Sequence, residues 1–184
     1  MQIFELETER LRLRQWKTAD FTPFAKLNAD AHTMRYFPKP LAQIESDALA
    51  TKIMTLIAEN AWGMWAVELK DSQQFIGFTG LHRPSADFDF QPCVEIGWRF
   101  LQEFWGKGYA TEAAHACLDF AFSQLDLDEV VAFTATQNLP SMKVMQRLGM
   151  TWHKNFYHPD LEAVHPLAEH VLYKISKESF LQKT

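Results

Sequence analysis

The sequence has too few cysteines and no apolar run long enough for several classes of protein. Its 184 residues include only two cysteines, Cys93 and Cys117, which excludes a disulfide framework and a cysteine-rich metal site. We expect both to be small buried apolar residues. Glutamate and arginine interrupt residues 1–16, so these residues do not resemble a signal peptide. No later stretch reaches the ~20 apolar residues of a membrane span. We therefore expect a cytoplasmic protein with no bound metal and no membrane partner.

Positive charge is also scarce. The chain has 18 lysines and arginines against 23 aspartates and glutamates, a net charge of -5. This balance argues against direct nucleic-acid binding and favours a cationic or amine-bearing partner. The length suits one domain, and 47% hydrophobic residues can fill its core. Because no repeat, low-complexity segment or linker interrupts the chain, we expect residues 1–184 to form a single domain.

Strand and helix patterns alternate along the chain, which predicts a mixed α/β fold. Arginine and leucine alternate over residues 10–15, so we expect a strand with its arginines exposed. The other predicted strands are 62–69, 75–81, 94–101, 129–136, 152–157 and 170–176, and the predicted helices are 20–28, 42–59, a segment starting at Ala110, and a short helix between Asn138 and Gly149.

A glycine-rich turn joins a predicted strand to a predicted helix. Gly106 and Gly108 allow positive φ angles and a close backbone approach, so several N–H groups can point at one anion. The helix dipole adds partial positive charge, and Lys107 adds a full charge if it turns inward. The turn suits a diphosphate, although ordinary turn chemistry produces the same pattern. It is neither a nucleotide P-loop, since the Gly-Lys-Ser/Thr ending is missing, nor a dinucleotide fingerprint.

Several segments in the same order resemble the GNAT N-acetyltransferase superfamily over nearly the whole chain. The family's Q/R-x-x-G-x-G/A loop corresponds here to Trp105 through Ala110, with tryptophan in the usual Gln/Arg position. That variant is similar to the branch of ribosomal-protein N-terminal acetyltransferases of the RimJ/RimL kind. The same resemblance extends to residues 8–14, 76–81, 95–98, 138–141, 148–150 and 169–173.

The resemblance implies a fold and a coenzyme site. The fold is a mixed, mostly antiparallel central sheet of about seven strands, splayed between strands 4 and 5, with helices on both faces. Acetyl-CoA would be the co-substrate, with its diphosphate held by backbone amides of the glycine turn and its pantetheine arm held by strand 4 and Asn138. The residues implied for coenzyme binding are Trp98, Arg99, Phe100, Trp105, Gly106, Lys107, Gly108, Tyr109, Ala110, Thr111, Asn138, Ser141 and Lys143. For Asn138 the alternative is a helix cap only, and for Lys143 a solvated surface lysine.

Acetyl transfer needs a proton donor for the leaving thiolate and a route for the proton of the amine. The resemblance places the Ser141 hydroxyl near the sulfur, so we assign it as that donor, with a plain helix-start residue as the alternative. Glu95 is the first candidate base and Glu169 the second, while Glu95 could also simply face solvent. His170 is a further option. Backbone N–H groups of the splayed strand would stabilise the oxyanion. Neither cysteine has a neighbour that would activate it for a covalent route.

The resemblance leads to acetylation of a protein N-terminal α-amine, as on ribosomal proteins. The alternatives are a small-amine acetyltransferase, acting on an antibiotic, polyamine, amino sugar or aminoacyl compound, and a non-catalytic acetyl-CoA sensor. Segments 33–41, 83–91 and 156–167 would frame the acceptor, with aromatic residues and acids such as Asp87, Asp89 and Asp160 receiving an ammonium. Neither the acceptor nor the choice between monomer and homodimer follows from the sequence.

Overall fold

A computed structural model describes residues 2–182 as two compact units. Of these residues, the first unit contains 2–81 and 97–117, and the second contains 82–96 and 118–182. The strands are β1 (Leu6–Glu7), β2 (Leu11–Arg14), β3 (Met64–Leu69), β4 (Phe75–His82), β5 (Glu95–Phe100), β6 (Glu129–Ala135), β7 (Thr151–Tyr157) and β8 (Glu169–Ser176). The helices are α1 (Phe21–Ala29), α2 (Gln43–Asn60), α3 (Tyr109–Ser123), α4 (Leu139–Arg147) and α5 (Lys177–Leu181). Within residues 2–182, none of the helices combines the length and the apolar character needed to cross a membrane.

The eight strands form one mostly antiparallel sheet in the order β1-β2-β3-β4-β5-β6-β8-β7. In the first unit, β1 to β4 pair antiparallel in sequence. In the second unit, β6 pairs antiparallel with β8, and β8 with β7. The first residue of β5 pairs with β6 in parallel, through Glu95 and Val131. The predicted mixed α/β fold is therefore confirmed. The fourth and fifth predicted strands correspond to β5 and β6. Among residues 2–182, one residue pair joins these two strands, which fits the expected splay.

Each predicted strand and helix is present within about two residues of its expected bounds, and two elements are additional. β1 has only two residues, too few to produce a periodic pattern, and it raises the strand count from about seven to eight. The helix α5 begins directly where β8 ends, with the Ser176 side chain accepting a hydrogen bond from the Ser179 N–H. Both additions depend on contacts with neighbouring segments more than on their own residues.

The first unit packs around aromatic side chains and a buried ion pair. Trp16 contacts Phe24 with ring centroids 4.7 Å apart. Arg14 was expected on the exposed face of its strand, but that expectation is wrong: it is buried, donating to both carboxylate oxygens of Asp20 at 2.7 and 2.9 Å and to Glu68 at 2.7 Å. Burial lowers the pKa of Arg14, but the two carboxylates outweigh this effect and raise it. The guanidinium remains charged because its counter-charges are buried beside it.

The second unit packs around a cluster of phenylalanine and histidine rings. His170 on β8 is buried, and its Nδ1 lies 3.2 Å from the Ala168 carbonyl oxygen, to which it donates. Its ring lies 5.6 Å from that of Phe156 and 5.1 Å from that of His158. Burial, with a smaller contribution from the charge of His158, lowers the pKa of His170 below its usual value.

The lowered pKa of His170 predicts a loss of stability in acid. Because the unfolded chain binds a proton at a higher pH than the folded chain, the free energy of unfolding should fall as the pH drops below about 6.5. Replacing His170 with phenylalanine keeps an aromatic ring and removes this titration. Urea unfolding at pH 5, 6 and 7 should show wild type losing stability faster than His170→Phe on acidification. A difference between the two proteins that is constant with pH would contradict the prediction.

Candidate active site

The glycine turn has the geometry that the sequence predicts. Gly106 and Gly108 have φ angles of +74° and +83°, in the left-handed region that only glycine adopts readily. A Cβ built on Gly106 would have no heavy atom within 4 Å, so the backbone is open to close approach there. Helix α3 starts at Tyr109 and aligns its first N–H groups with the turn. Such a cradle fits a diphosphate group.

Two side chains of the turn contact residues just before it. Lys107 Nζ lies over the Phe104 ring, 5.2 Å from its centroid. Trp105, in the position where the family usually has Gln or Arg, donates from its indole nitrogen to the Phe100 carbonyl oxygen at 2.8 Å. The tryptophan thereby attaches the turn to the end of β5. Ala110 and Thr111 are half-buried in the first turn of α3.

A charged contact that the sequence did not reveal lies beside the turn. The Glu112 carboxylate accepts hydrogen bonds from the Thr8 hydroxyl and the Arg10 N–H through Oε1 and from Arg10 Nε through Oε2, and Arg10 Nη2 forms an ion pair with Oε2 at 2.6 Å. Arg10 Nη1 also donates to the Lys107 carbonyl oxygen at 3.0 Å, and its guanidinium lies 4.5 Å from the Tyr109 ring centroid. Nothing in the sequence linked these two residues, which are 102 positions apart.

The strand β5 has hydrogen-bonding groups on two edges, and only one edge faces β4. The Gly97 carbonyl accepts from the Thr79 hydroxyl, and the Leu101 N–H donates to the Ile76 carbonyl. Because successive residues of a strand point their polar groups to opposite edges, Arg99 shares this edge and Trp98 and Phe100 face away. The Phe100 carbonyl is already bonded to Trp105. Of the residues expected to bond the pantetheine arm, Trp98 and Phe100 therefore have backbone groups on the edge facing away from β4, and Arg99 does not.

The Arg99 side chain has an unusual environment for a cation. Its Nη1 donates to Asn28 Oδ1, its guanidinium carbon lies 3.9 Å from the Phe37 ring centroid, and its buried Nε has no hydrogen-bond partner. Within residues 2–182 it forms no ion pair with a carboxylate. Burial lowers the pKa of Arg99 to about 10, so it stays charged at neutral pH. Phe37 belongs to the 33–41 segment that the sequence placed beside the acceptor.

At the start of α4, the predicted N-cap is present. The Asn138 side chain accepts from the Ser141 N–H at 3.3 Å and donates to the Thr134 hydroxyl at 2.9 Å. The cap fixes Ser141 in the first turn through its backbone, so the Ser141 hydroxyl is not needed for the cap. Ser141 is half-buried and Lys143 is exposed. These contacts make Asn138 the N-cap of α4.

The two candidate bases differ in environment. The Glu95 side chain is 12% exposed, and its Oε2 lies 2.9 Å from His82 Nε2. Glu169 is exposed and accepts from the Asn155 side-chain amide at 3.0 Å. Glu95 is thus not a simple solvent-facing residue, and its histidine neighbour provides a path for a proton between a buried and a more open position. Glu169 has the features of an ordinary surface carboxylate.

Two of the three predicted acceptor segments meet in the second unit. Phe88 and Phe90 from segment 83–91 pack against Phe156, with centroid distances of 5.8 and 5.1 Å. An open cavity of about 250 Å³ lies above these rings and is lined by Asp87, Phe88, Asp89, Phe156, Tyr157 and Pro159. Asp89 pairs with Lys154. Aromatic rings with carboxylates at the rim can receive an ammonium group.

The cysteines lie in environments that disfavour thiolate chemistry. Burial raises the pKa of the Cys93 thiol to about 11, and it also raises that of Cys117. A thiol in such a setting is a poor nucleophile at neutral pH. Among residues 2–182, no group of three or more His, Cys, Asp or Glu side chains is close enough together to hold a metal ion.

Known proteins share both the sequence pattern and the fold. The model of the acetyltransferase (GNAT) domain matches residues 10–151. The uncharacterized N-acetyltransferase YnaD of Bacillus subtilis strain 168 is 29% identical over 146 residues, 79% of this chain and 81% of its own length. A GNAT-family acetyltransferase from Bacillus anthracis superposes with a TM-score of 0.80 at 26% identity, covering 95% of this chain and 99% of that one. A ribosomal-protein-S5-alanine acetyltransferase from Vibrio fischeri shares the fold at 18% identity and a TM-score of 0.75, covering 96% and 98%. The chain belongs to the GNAT acetyltransferase family.

Proposed function

We propose that this enzyme transfers the acetyl group of acetyl-CoA to the N-terminal α-amine of a protein. The turn at residues 106–111 carries the coenzyme half of the proposal, because its two left-handed glycines and the start of α3 form an anion cradle. GNAT acetyltransferases use acetyl-CoA. The acceptor half is supported by the fold shared with the ribosomal-protein alanine acetyltransferase and by the acid-rimmed aromatic cavity of the second unit.

The residues of the chain would divide the work as follows. Backbone N–H groups of residues 106–111 hold the diphosphate, and the outward edge of β5 at Trp98 and Phe100 bonds the pantetheine arm in the manner of an added strand. When bound, acetyl-CoA supplies the acetyl group and a thiolate leaving group. Asn138 positions α4, and the Ser141 hydroxyl donates a proton to the departing sulfur. Glu95, with His82 beside it, accepts the proton of the amine, and Glu169 is the second candidate for this role.

The chemical demand on these groups is modest. An α-amine titrates near ~8, so an appreciable fraction is neutral at pH 7 before any base acts. A thiol titrates near ~8.5, so the thiolate can leave without being fully protonated. Positioning of the two substrates therefore contributes more to the rate than proton transfer does.

We infer that the 1–184 chain acts as one functional domain.

Binding of acetyl-CoA tests the proposed cradle. A ligand at a hundred times its dissociation constant stabilises the folded state by about 2.7 kcal/mol, which should raise the melting temperature by about 5 to 10 °C for a domain of this size. Gly108→Val should abolish the shift, because a branched side chain does not tolerate the φ of +83° and its Cβ would lie 3.4 Å from Arg10 Nη2.

Gly149→Val is the matched control for this variant. Gly149 has a φ of +82° but lies after α4, so its replacement introduces the same backbone strain outside the turn. It should lower the melting temperature of the free protein and leave the acetyl-CoA shift intact. A normal shift in Gly108→Val would show that the diphosphate binds elsewhere.

The role of Ser141 predicts a moderate loss of rate. Ser141→Ala should lower kcat by about tenfold and leave the KM for acetyl-CoA nearly unchanged, since the hydroxyl acts on the leaving sulfur. Ser141→Thr keeps a hydroxyl and should recover most of the rate. Steady-state assays of thiol release measure both constants. If alanine and wild type have equal kcat, Ser141 is only a residue of the first helical turn.

The acceptor is tested by a panel that separates the α-amine from other amines. Peptides beginning with free alanine or serine, and containing one lysine, should be acetylated at the α-nitrogen, as located by mass spectrometry. The same peptides with a blocked N-terminus should remain unmodified, which controls for reaction at lysine. Acetylation of an aminoglycoside, polyamine or amino sugar alone would replace the protein acceptor with a small amine. An acetyl-CoA shift with no thiol release from any amine would indicate a sensor.

A further inference from the structure

The cluster of Arg10, Thr8 and Glu112 beside the glycine turn has no part in the roles described above. It lies within the first unit, where residues from the start of the chain reach the first turn of α3. The Glu112 carboxylate accepts three hydrogen bonds, one from the Thr8 hydroxyl and two from Arg10, and it forms an ion pair with Arg10 Nη2. Arg10 also donates a hydrogen bond to the turn itself. We propose that Arg10 is a positioning residue that holds the turn at 106–111 in the shape that binds the diphosphate.

The bond from Arg10 to the Lys107 carbonyl has a direct consequence for the next N–H group. The Lys107 carbonyl and the Gly108 N–H belong to one planar trans peptide unit, so they point in opposite directions. By holding the oxygen at 3.0 Å from its Nη1, Arg10 directs the Gly108 N–H to the other side of the chain. Glycines on both sides of Lys107 would otherwise let this peptide unit rotate easily. Arg10 therefore selects one orientation of a donor group in the cradle.

The pairing of Arg10 with Glu112 also compensates the negative charge of Glu112 beside the turn. A carboxylate in the first turn of a helix is favourable for the helix dipole but repels a bound phosphate. Burial raises the pKa of Glu112, but hydrogen bonds from Thr8 and Arg10 outweigh it and lower the pKa, so the group remains ionised. The Arg10 guanidinium offsets this charge at 2.6 Å. Its Nη2 also lies 3.4 Å from the position of a Cβ on Gly108, which places the positive charge next to the cradle.

Arg12 is a matched control for Arg10. Both arginines lie close together in the chain, and both side chains are 43% exposed. Arg10 pairs with Glu112, while Arg12 pairs with Glu7 and, at 4.0 Å, with Glu68. Arg12 donates to Glu7 at 3.2 Å, and the structure gives it no bond to the turn within residues 2–182. Removing Arg12 takes away the same charge and a similar ion pair without touching Lys107 or Glu112.

The test compares Arg10→Met with Arg12→Met in three measurements. Arg10→Met should accelerate hydrogen exchange of the Glu112 amide, which donates to the Gly108 carbonyl, by about tenfold or more in the free protein, and Arg12→Met should leave it unchanged. By calorimetry, Arg10→Met should weaken acetyl-CoA binding by about tenfold to a hundredfold, the effect expected for losing a charge-assisted bond. Acetyl transfer from S-acetylpantetheine, which lacks the diphosphate, should change less than twofold. Arg10→Lys should recover only part of the binding, because one ammonium cannot span Lys107 and Glu112 together.

The outcomes separate this inference from the proposed function on which it rests. Equal exchange of the Glu112 amide in Arg10→Met and wild type would overturn the positioning role, whether or not acetyl-CoA binds. If Arg10→Met lowered acetyl-CoA binding and acetyl transfer from S-acetylpantetheine by the same factor, the positioning role would also be overturned, because the defect would not be specific to the diphosphate. If wild type fails to bind acetyl-CoA, the proposed function fails, and the exchange measurement still decides whether Arg10 shapes the turn.

Discussion

The arrangement of the glycine turn depends on the contacts of the Glu112 carboxylate with Thr8 and Arg10, which comprise three hydrogen bonds and one ion pair. Glycine gives this turn its positive φ angles, but the same freedom would allow many other shapes. The turn is attached on one side by the Trp105 indole to the end of β5, and on the other by Arg10 to Lys107 and Glu112. Between these two attachments the N–H groups are left for a ligand. Trp105 and Arg10 thus hold the turn in place, while the backbone N–H groups between these attachments stay open to a ligand.

The strand β5 shows a similar division between structure and function. One edge is bonded to β4 through Gly97 and Leu101, while the other edge carries the backbone of Trp98 and Phe100. An unpaired strand edge ordinarily promotes unwanted association. Here it can be understood as the place where an extended pantetheine arm takes the position of a neighbouring strand. The single recorded pair between β5 and β6 is consistent with that use.

Three arginines of the first unit differ in how deeply they are buried and in which groups they contact. Arg14 is buried with two carboxylates, and its pKa is raised, as expected for an ion-paired structural residue. Arg99 is buried against Phe37 without a carboxylate among the described residues, and its pKa is lowered. Arg10 is partly exposed and bonded to the turn. The alternation of arginine and leucine over residues 10–15 predicted one exposed face. It could not distinguish Arg10 from Arg14, because the environment of each depends on groups far away in the chain.

The order of strands and helices could be predicted from periodicity, and the turn could be predicted from its glycines, because both depend on residues close together in the chain. The same holds for the cap at Asn138, whose partner Ser141 is three residues away. The family followed from several short motifs in the right order, and the domain match over residues 10–151 confirms it. The sequence did not determine which of the candidate acids is sheltered from solvent, that Trp105 bonds to β5, or that Arg10 reaches Glu112. The contact of Arg10 with Glu112 joins positions 102 apart, and only the folded backbone, which fixes the distances and directions between segments, decides which side chains meet.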